Sequence, residues 1–128
     1  NGRQFCFMVD PPDQKEVPQK GEIMKKKVYI CASMDGDVEA VLEQVKGYVN
    51  YALKCGVAPV APQFYLQAML PDTKANAESL RSVARSLLWY CDEMWVFGNE
   101  ITETMASDQQ FCKEFHIRTK RIRSLKVK

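Results

Sequence analysis

The residue most able to do chemistry is Asp108. It lies in "VFGNEITETMASDQQFC", where an apolar run stops at Gly98 and a helical pattern begins near Thr102. Thr102 suits a helix N-cap, with Glu103 and Met105 in the first turn. At helical spacing Met105, Asp108, Cys112 and Phe115 share one face. Three of these four are apolar, so that face turns inward and takes Asp108 with it. A carboxylate placed there must be hydrogen-bonded or functional. The chemistry open to it is attack on an anomeric carbon, as carboxylates do in retaining glycosyl transfer. The helix start also offers unpaired N–H groups to a ligand. The plainer alternative is a partly exposed Asp108 that helps the helix begin.

A second candidate is the loop in "VYICASMDGD", Val28 to Asp37. It has neither the GxGxxG nor the P-loop pattern. Asp35 and Asp37 oppose a phosphate by like charge, but can accept hydrogen bonds from sugar hydroxyls or base amines. The alternative is a tight turn in which Gly36 takes positive φ and Asp37 caps the next helix.

Other chemistries are disfavoured. The single histidine, His116, falls late in a helix, away from these loops, so a Ser-His-Asp or Cys-His site is not expected. The five cysteines, Cys6, Cys31, Cys55, Cys91 and Cys112, include no CxxC pair, and most sit in apolar surroundings. They read as reduced, buried thiols rather than zinc ligands, and no metal or cofactor is expected. Asp92 precedes a strand at the end away from the site and reads as structural. Trp89, Tyr90 and Trp95 lack interleaved basic residues, so they read as core or interface rather than a base-stacking platform.

The elements that must position these residues alternate along the chain. "KKVYICAS" is a buried strand. "DVEAVLEQVKGYVNYALKCG" is a helix, with Val38, Val41, Leu42, Val45, Val49 and Leu53 at inward spacing and Gly56 as its stop. "VAPVAPQFY" is a second strand. "NAESLRSVARSLLWYC" is a helix that turns Leu80, Val83, Ala84, Leu87, Leu88 and Cys91 inward. "EMWVFG" is a third strand, "TETMASDQQFCKEFHI" a third helix and "TKRIRSLKV" a fourth strand. Such alternation implies an α/β fold with a parallel sheet and right-handed crossovers. The strands at Val28 and Glu93 are the most apolar and therefore central, which predicts the order 2-1-3-4. Ligands bind such sheets at the switch point between strands 1 and 3. The loops Ser33–Asp37, Gln63–Leu66 and Gly98–Thr104 converge there.

The 128 residues predict one α/β domain over 24–128, preceded by a proline- and charge-rich arm over 1–23. Within the arm "RQFCFMV" can form a short strand, and the arm is expected to pack on the domain or on a second copy. It lacks the basic and apolar blocks of a signal peptide, and no apolar run is long enough to span a membrane. A cytoplasmic setting without a membrane partner is expected. Net charge is +2, yet the terminal "RTKRIRSLKVK" carries six basic residues and no acidic one. It can touch nucleic acid or an acidic partner, but its alternation favours a charged edge strand, so nucleic acid is not the expected partner.

The segments "GVAPVAPQFY" and "CDEMWVFG…IT…M" carry a resemblance. Together with the rest of Lys25–Lys126, they resemble small bacterial and phage domains of unknown function related to nucleoside 2-deoxyribosyltransferases. The resemblance implies a flavodoxin-like parallel sheet of about four strands in a three-layer sandwich. It implies a nucleoside or nucleotide-like ligand, a homo-oligomer and no cofactor. In the characterised relatives a glutamate early in the helix after the third strand attacks the sugar C1′, and here that position is Asp108. Asp is one methylene shorter, and a misplacement of about 1 Å can cost on the order of 100-fold in rate. A Tyr-Arg pair usual in the first loop falls on Met34 and Asp35. A glycine before the methionine is Thr104, a histidine after the second strand is Gln63, and one base-holding carboxylate falls on Ala84. The implied site therefore has Asp108 as nucleophile and Ser33, Met34, Asp35 and Gly36 on the sugar side. Gly98, Glu103 and Met105 face them, with Gln63 and Tyr65 at the rim. So many substitutions mean either a changed substrate or a catalytically inactive binding or interaction module on the same fold.

Overall fold

A computed structural model describes residues 24–68 and 73–123. The 1–23 arm and residues 124–128, which include the end of the anticipated fourth strand, lie outside them. The sheet is built from β1 (Lys27–Cys31), β2 (Ala58–Val60), β3 (Glu93–Phe97) and β4 (Arg118–Ile122). All neighbours pair in parallel, in the order β2-β1-β3-β4, as the alternation of strands and helices predicts. Three helices connect the strands: α1 (Val38–Lys54), α2 (Thr73–Trp89) and α3 (Glu103–Glu114). The side chains of α2 are described from Glu78 onward.

Strand residues alternate between two cores because a strand turns successive side chains to opposite faces. Tyr29, Cys31, Met94 and Val96 pack with Leu88 of α2 and with Met105 and Cys112 of α3. Val28, Ile30, Trp95 and Phe97 pack on the other face with Ala52 and, less deeply, Tyr48 and Tyr51 of α1. Every residue of β3 is buried, which is what a central parallel strand covered on both faces requires. The one charged residue in it, Glu93, accepts hydrogen bonds from Lys26 Nζ and Trp95 Nε1, both at 2.9 Å. Those two bonds hold its carboxyl below the ordinary glutamate value.

Several boundaries depart from the sequence reading. The second strand does not run from Val57 to Tyr65. It ends at Val60, and Pro62–Ala68 forms a 3-10 segment. Pro62 has no N–H to offer a ladder, and its fixed φ suits the start of a helical turn. In α1, Val41 and Val45 are buried, but Val38 and Leu53 are exposed and Ala52 takes the inward place. In α2, Val83 is exposed while Leu80 and Leu88 are buried. Asp37 stands at the N-cap of α1 without a side-chain cap bond. Thr102 does cap α3, accepting from the Met105 N–H at 3.2 Å, and Gly56 ends α1 with φ +83°. No described helix is long and apolar enough to cross a membrane.

Candidate functional site

A cavity of about 310 Å³ opens over the C-terminal end of β1, on the side covered by α2 and α3. This is the switch point of the sheet, where strand order reverses and crossovers leave by opposite faces. Its floor is Tyr29, Ile30, Cys31 and Ala32 at the end of β1. The 3-10 segment contributes Pro62, Gln63 and Leu66. From α2 come Leu80, Arg81, Ala84 and Arg85, from α3 Thr104 and Asp108, and from the first loop Met34. The volume is at the low end for small-molecule sites, roughly 300–1,000 Å³, so it suits one compact ligand.

Asp108 lies on the wall with its side chain 14% exposed. Its two oxygens differ. Oδ1 accepts from Arg85 Nη2 at 3.2 Å. Among the described residues Oδ2 meets only the Cys31 thiol, at 3.9 Å, and a thiol is a weak donor. Arg85 is itself held from three sides. The same Nη2 donates to Ser107 Oγ at 3.3 Å, and the guanidinium carbon stands 4.6 Å from the centre of the Phe111 ring. Burial raises the Asp108 carboxyl above the ordinary aspartate value, while the Arg85 bond and charge, and the more distant Arg81, pull it back down. Burial also pushes the Tyr29 hydroxyl and the Cys31 thiol well up, with the nearby Asp108 charge adding to both. Both groups are therefore neutral hydrogen-bond partners at physiological pH, and Cys31 is not a thiolate nucleophile. Cys112, beneath the site, is pushed up to about 11 by burial.

Two buried polar atoms lack a partner among the described residues, Arg121 Nε and, on a residue of the cavity, Gln63 Oε1. Gln63 is 4% exposed, and its Nε2 donates to the Ile30 carbonyl at 2.9 Å. Because that partner can only accept, the amide orientation is determined. Gln63 Oε1 has no hydrogen-bond partner among the described residues.

Of the residues anticipated from sequence, Asp108, Met34 and Gln63 line the cavity. The others are placed elsewhere. Ser33 Oγ accepts from the Asp35 N–H at 3.1 Å and closes the turn, while Asp35 is exposed and Gly36 takes φ +106°. Tyr65 is exposed. The Gly98 carbonyl is occupied by Arg121 Nη2, Glu103 is exposed in the first turn of α3, and Met105 is buried in the core. Asp92 is structural as expected, accepting from the Lys27 N–H at 2.8 Å. Arg81, Arg85 and Tyr29 were not anticipated. Their signal was present: Arg81 and Arg85 are one turn apart, and Arg85 directly follows the inward Ala84.

Arg85 opposes the rise that burial imposes on the Asp108 carboxyl, which gives a testable consequence. In Arg85→Met the stem packing on Phe111 is largely kept and the charge is lost. The Asp108 carboxyl is expected to titrate at higher pH than in the unmodified chain, measured by carboxyl-carbon NMR. An unchanged or lowered value would show that the pair does not control it.

No curated protein matches this chain. Residues 26–122, most of the chain and all four strands, match a family described as Domain of unknown function (DUF7768), and the chain belongs to that family.

Proposed function

We propose that the cavity binds a nucleoside or nucleotide-like small molecule and that Asp108 acts on its N-glycosidic bond. The observation that carries this reading is the asymmetry of the Asp108 carboxylate. Arg85 fixes Oδ1 and so orients the group, and Oδ2 keeps lone pairs free beside a cavity at the switch point. In the proposed step Oδ2 forms a bond to the anomeric carbon as the carbon–nitrogen bond breaks. The base leaves with the bonding electrons and takes a proton from solvent. Water or a second base then displaces Asp108 from the sugar, so that the outcome is hydrolysis or transfer. The resemblance of the strand and loop segments to deoxyribosyltransferase-related domains supports the same assignment. The buried free thiols Cys31, Cys91 and Cys112 favour a reducing, cytoplasmic setting. Exposed Trp89, Tyr90 and Phe115 favour a homo-oligomer.

A second reading, binding without turnover, is favoured by the Arg85 ion pair itself, which withdraws electron density from the carboxylate that would attack. Incubation with a panel of nucleosides and 5′-nucleotides, with free base measured by liquid chromatography, separates the two. Base release is expected for the catalytic reading. Thermal stabilisation by a panel member without release supports the binding module. Neither release nor stabilisation would overturn both.

A further inference from the structure

We infer that Phe111 is a positioning residue for Asp108 and that it acts through Arg85. The inference rests on the reading of Asp108 as the group that attacks the sugar. It gives a task to a cluster of aromatic rings that stands outside the cavity.

The first ground is where the contacts of Arg85 come from. Arg85 stands on α2, and Ser107, Asp108 and Phe111 all stand on α3. Phe111 follows Asp108 by three residues, so ring and carboxylate are neighbours on one side of that helix. A single nitrogen of Arg85, Nη2, donates to Ser107 Oγ at 3.3 Å and to Asp108 Oδ1 at 3.2 Å. Two bonds from one nitrogen leave the rest of a planar group free to pivot about it. The Phe111 ring, 4.6 Å from the guanidinium carbon, supplies the missing restraint. The guanidinium is therefore registered on the same helix that carries the carboxylate.

The second ground is what Arg85 separates. It lines the cavity and also an outer groove formed with Ser82, Ser86, Trp89, Tyr90 and Phe111. Long basic side chains at such a border ordinarily extend their heads to water, and the groove leaves room for that. The attraction of the ring face for a cation opposes it. The ring is itself braced. Trp89 meets it edge-on at 6.3 Å and Phe115 lies at 4.7 Å, while Trp89 and Phe115 touch at 5.0 Å.

Asp108 is faced by Arg85 and Arg81 from α2, by Cys31 and Tyr29 from β1, and by Cys112 of its own helix. Burial keeps the two thiols and the hydroxyl neutral, and among these groups Arg85 alone touches Phe111. If the ring is lost, Arg85 moves towards water and burial dominates at Asp108. Its carboxyl should then hold its proton to higher pH.

Carboxyl-carbon NMR of Asp108 tests this in the unmodified chain, Phe111→Leu, Arg85→Met and the double variant. Leucine keeps most of the apolar volume that Phe111 packs against the core. Phe111→Leu is expected to move the titration to higher pH, by less than Arg85→Met does. In the Arg85→Met background it is expected to add nothing, because the ring acts only through the guanidinium. Phe111→Tyr, which keeps a ring, is expected to restore the original titration. On the most active nucleoside the acid limb of the pH–rate profile should move the same way in Phe111→Leu. There kcat should fall about tenfold, with KM changed less than about twofold. An unchanged titration in Phe111→Leu, or an equal displacement with and without Arg85, would overturn the inference. Absence of base release from the unmodified chain would remove the catalytic reading, and the titrations would still decide whether Phe111 places the carboxylate. If Phe111→Leu fails to fold, Phe111→Met carries the same comparison.

Discussion

Replacing Asp108 with alanine is expected to lower the rate of base release by a factor on the order of 10⁴ or more, the scale seen when a covalent nucleophile is removed. The expectation follows from the site's composition. Cys31 and Tyr29 are held neutral by burial, and Asp108 is the only carboxylate on the cavity wall among the described residues. Among the described residues no neighbour on that wall can take over the attack. The loss should fall on turnover rather than on folding. Removing one member of a buried ion pair is costly when the other is stranded, but the Arg85 side chain is 36% exposed and can be rehydrated. It also keeps its contacts to Ser107 and Phe111. Asp108→Asn is the stricter comparison, since it keeps size and loses the charge. Rates on the most active panel member, alongside denaturant melts of both variants, check the prediction. Turnover retained in Asp108→Ala would remove the residue from the chemistry, and an unfolded variant would show its role to be structural.

The strand order and the inward turn of Asp108 were legible because both depend on apolar periodicity. Met105 and Cys112, three before and four after Asp108, are each 1% exposed and bring it to the wall with them. The same logic failed where backbone geometry decides. Loop position brings Met34 after β1 and Gln63 and Leu66 after β2 to the cavity, whereas of Gly98–Thr104 only Thr104, within α3, reaches it, and position does not say which side chain turns inward. In the first loop that is Met34, while Ser33 is spent on closing the turn. After β3, Gly98 was placed at the site by position, yet its carbonyl is occupied by Arg121 from β4, a contact between residues far apart in sequence. Arg81 and Arg85 were overlooked for a related reason. Long basic side chains at the border of an apolar stripe ordinarily extend to water, and only the folded neighbours of Arg85, Asp108 and Phe111, turn it back across the cavity. Gln63 was readable as a site residue by resemblance, but its unpaired oxygen exists only because Ile30 occupies the amide nitrogen.

The largest stability effect is expected at Phe97. It is 1% exposed at the end of the central strand. Its ring stacks on Tyr48 at 4.5 Å between centroids, with an interplanar angle of 18°. Tyr51 meets it edge-on at 6.0 Å. Phe97 is thus where β3 is fastened to α1, the only described helix on that face of the sheet. Phe97→Ala loses the apolar transfer energy and leaves a cavity between two tyrosines and Trp95, which the rigid strand pairing to β1 and β4 cannot close. A loss of about 3–5 kcal/mol is expected, set against a total of about 5–15 kcal/mol for an ordinary domain. Phe97→Leu should lose clearly less, because most of the volume stays and only the ring stacking goes. Urea denaturation followed by tryptophan fluorescence reads the effect, since Trp95 lies in the same cluster, 6.4 Å from the Phe97 ring. A loss under about 1 kcal/mol for the alanine variant would mean that α1 can settle onto the sheet without this contact. Because the cavity lies on the opposite face of the sheet, Phe97→Leu should leave ligand affinity unchanged at temperatures where the chain stays folded. A coupled loss of affinity would mean instead that the packing of α1 sets the geometry of β1 and, through it, the site.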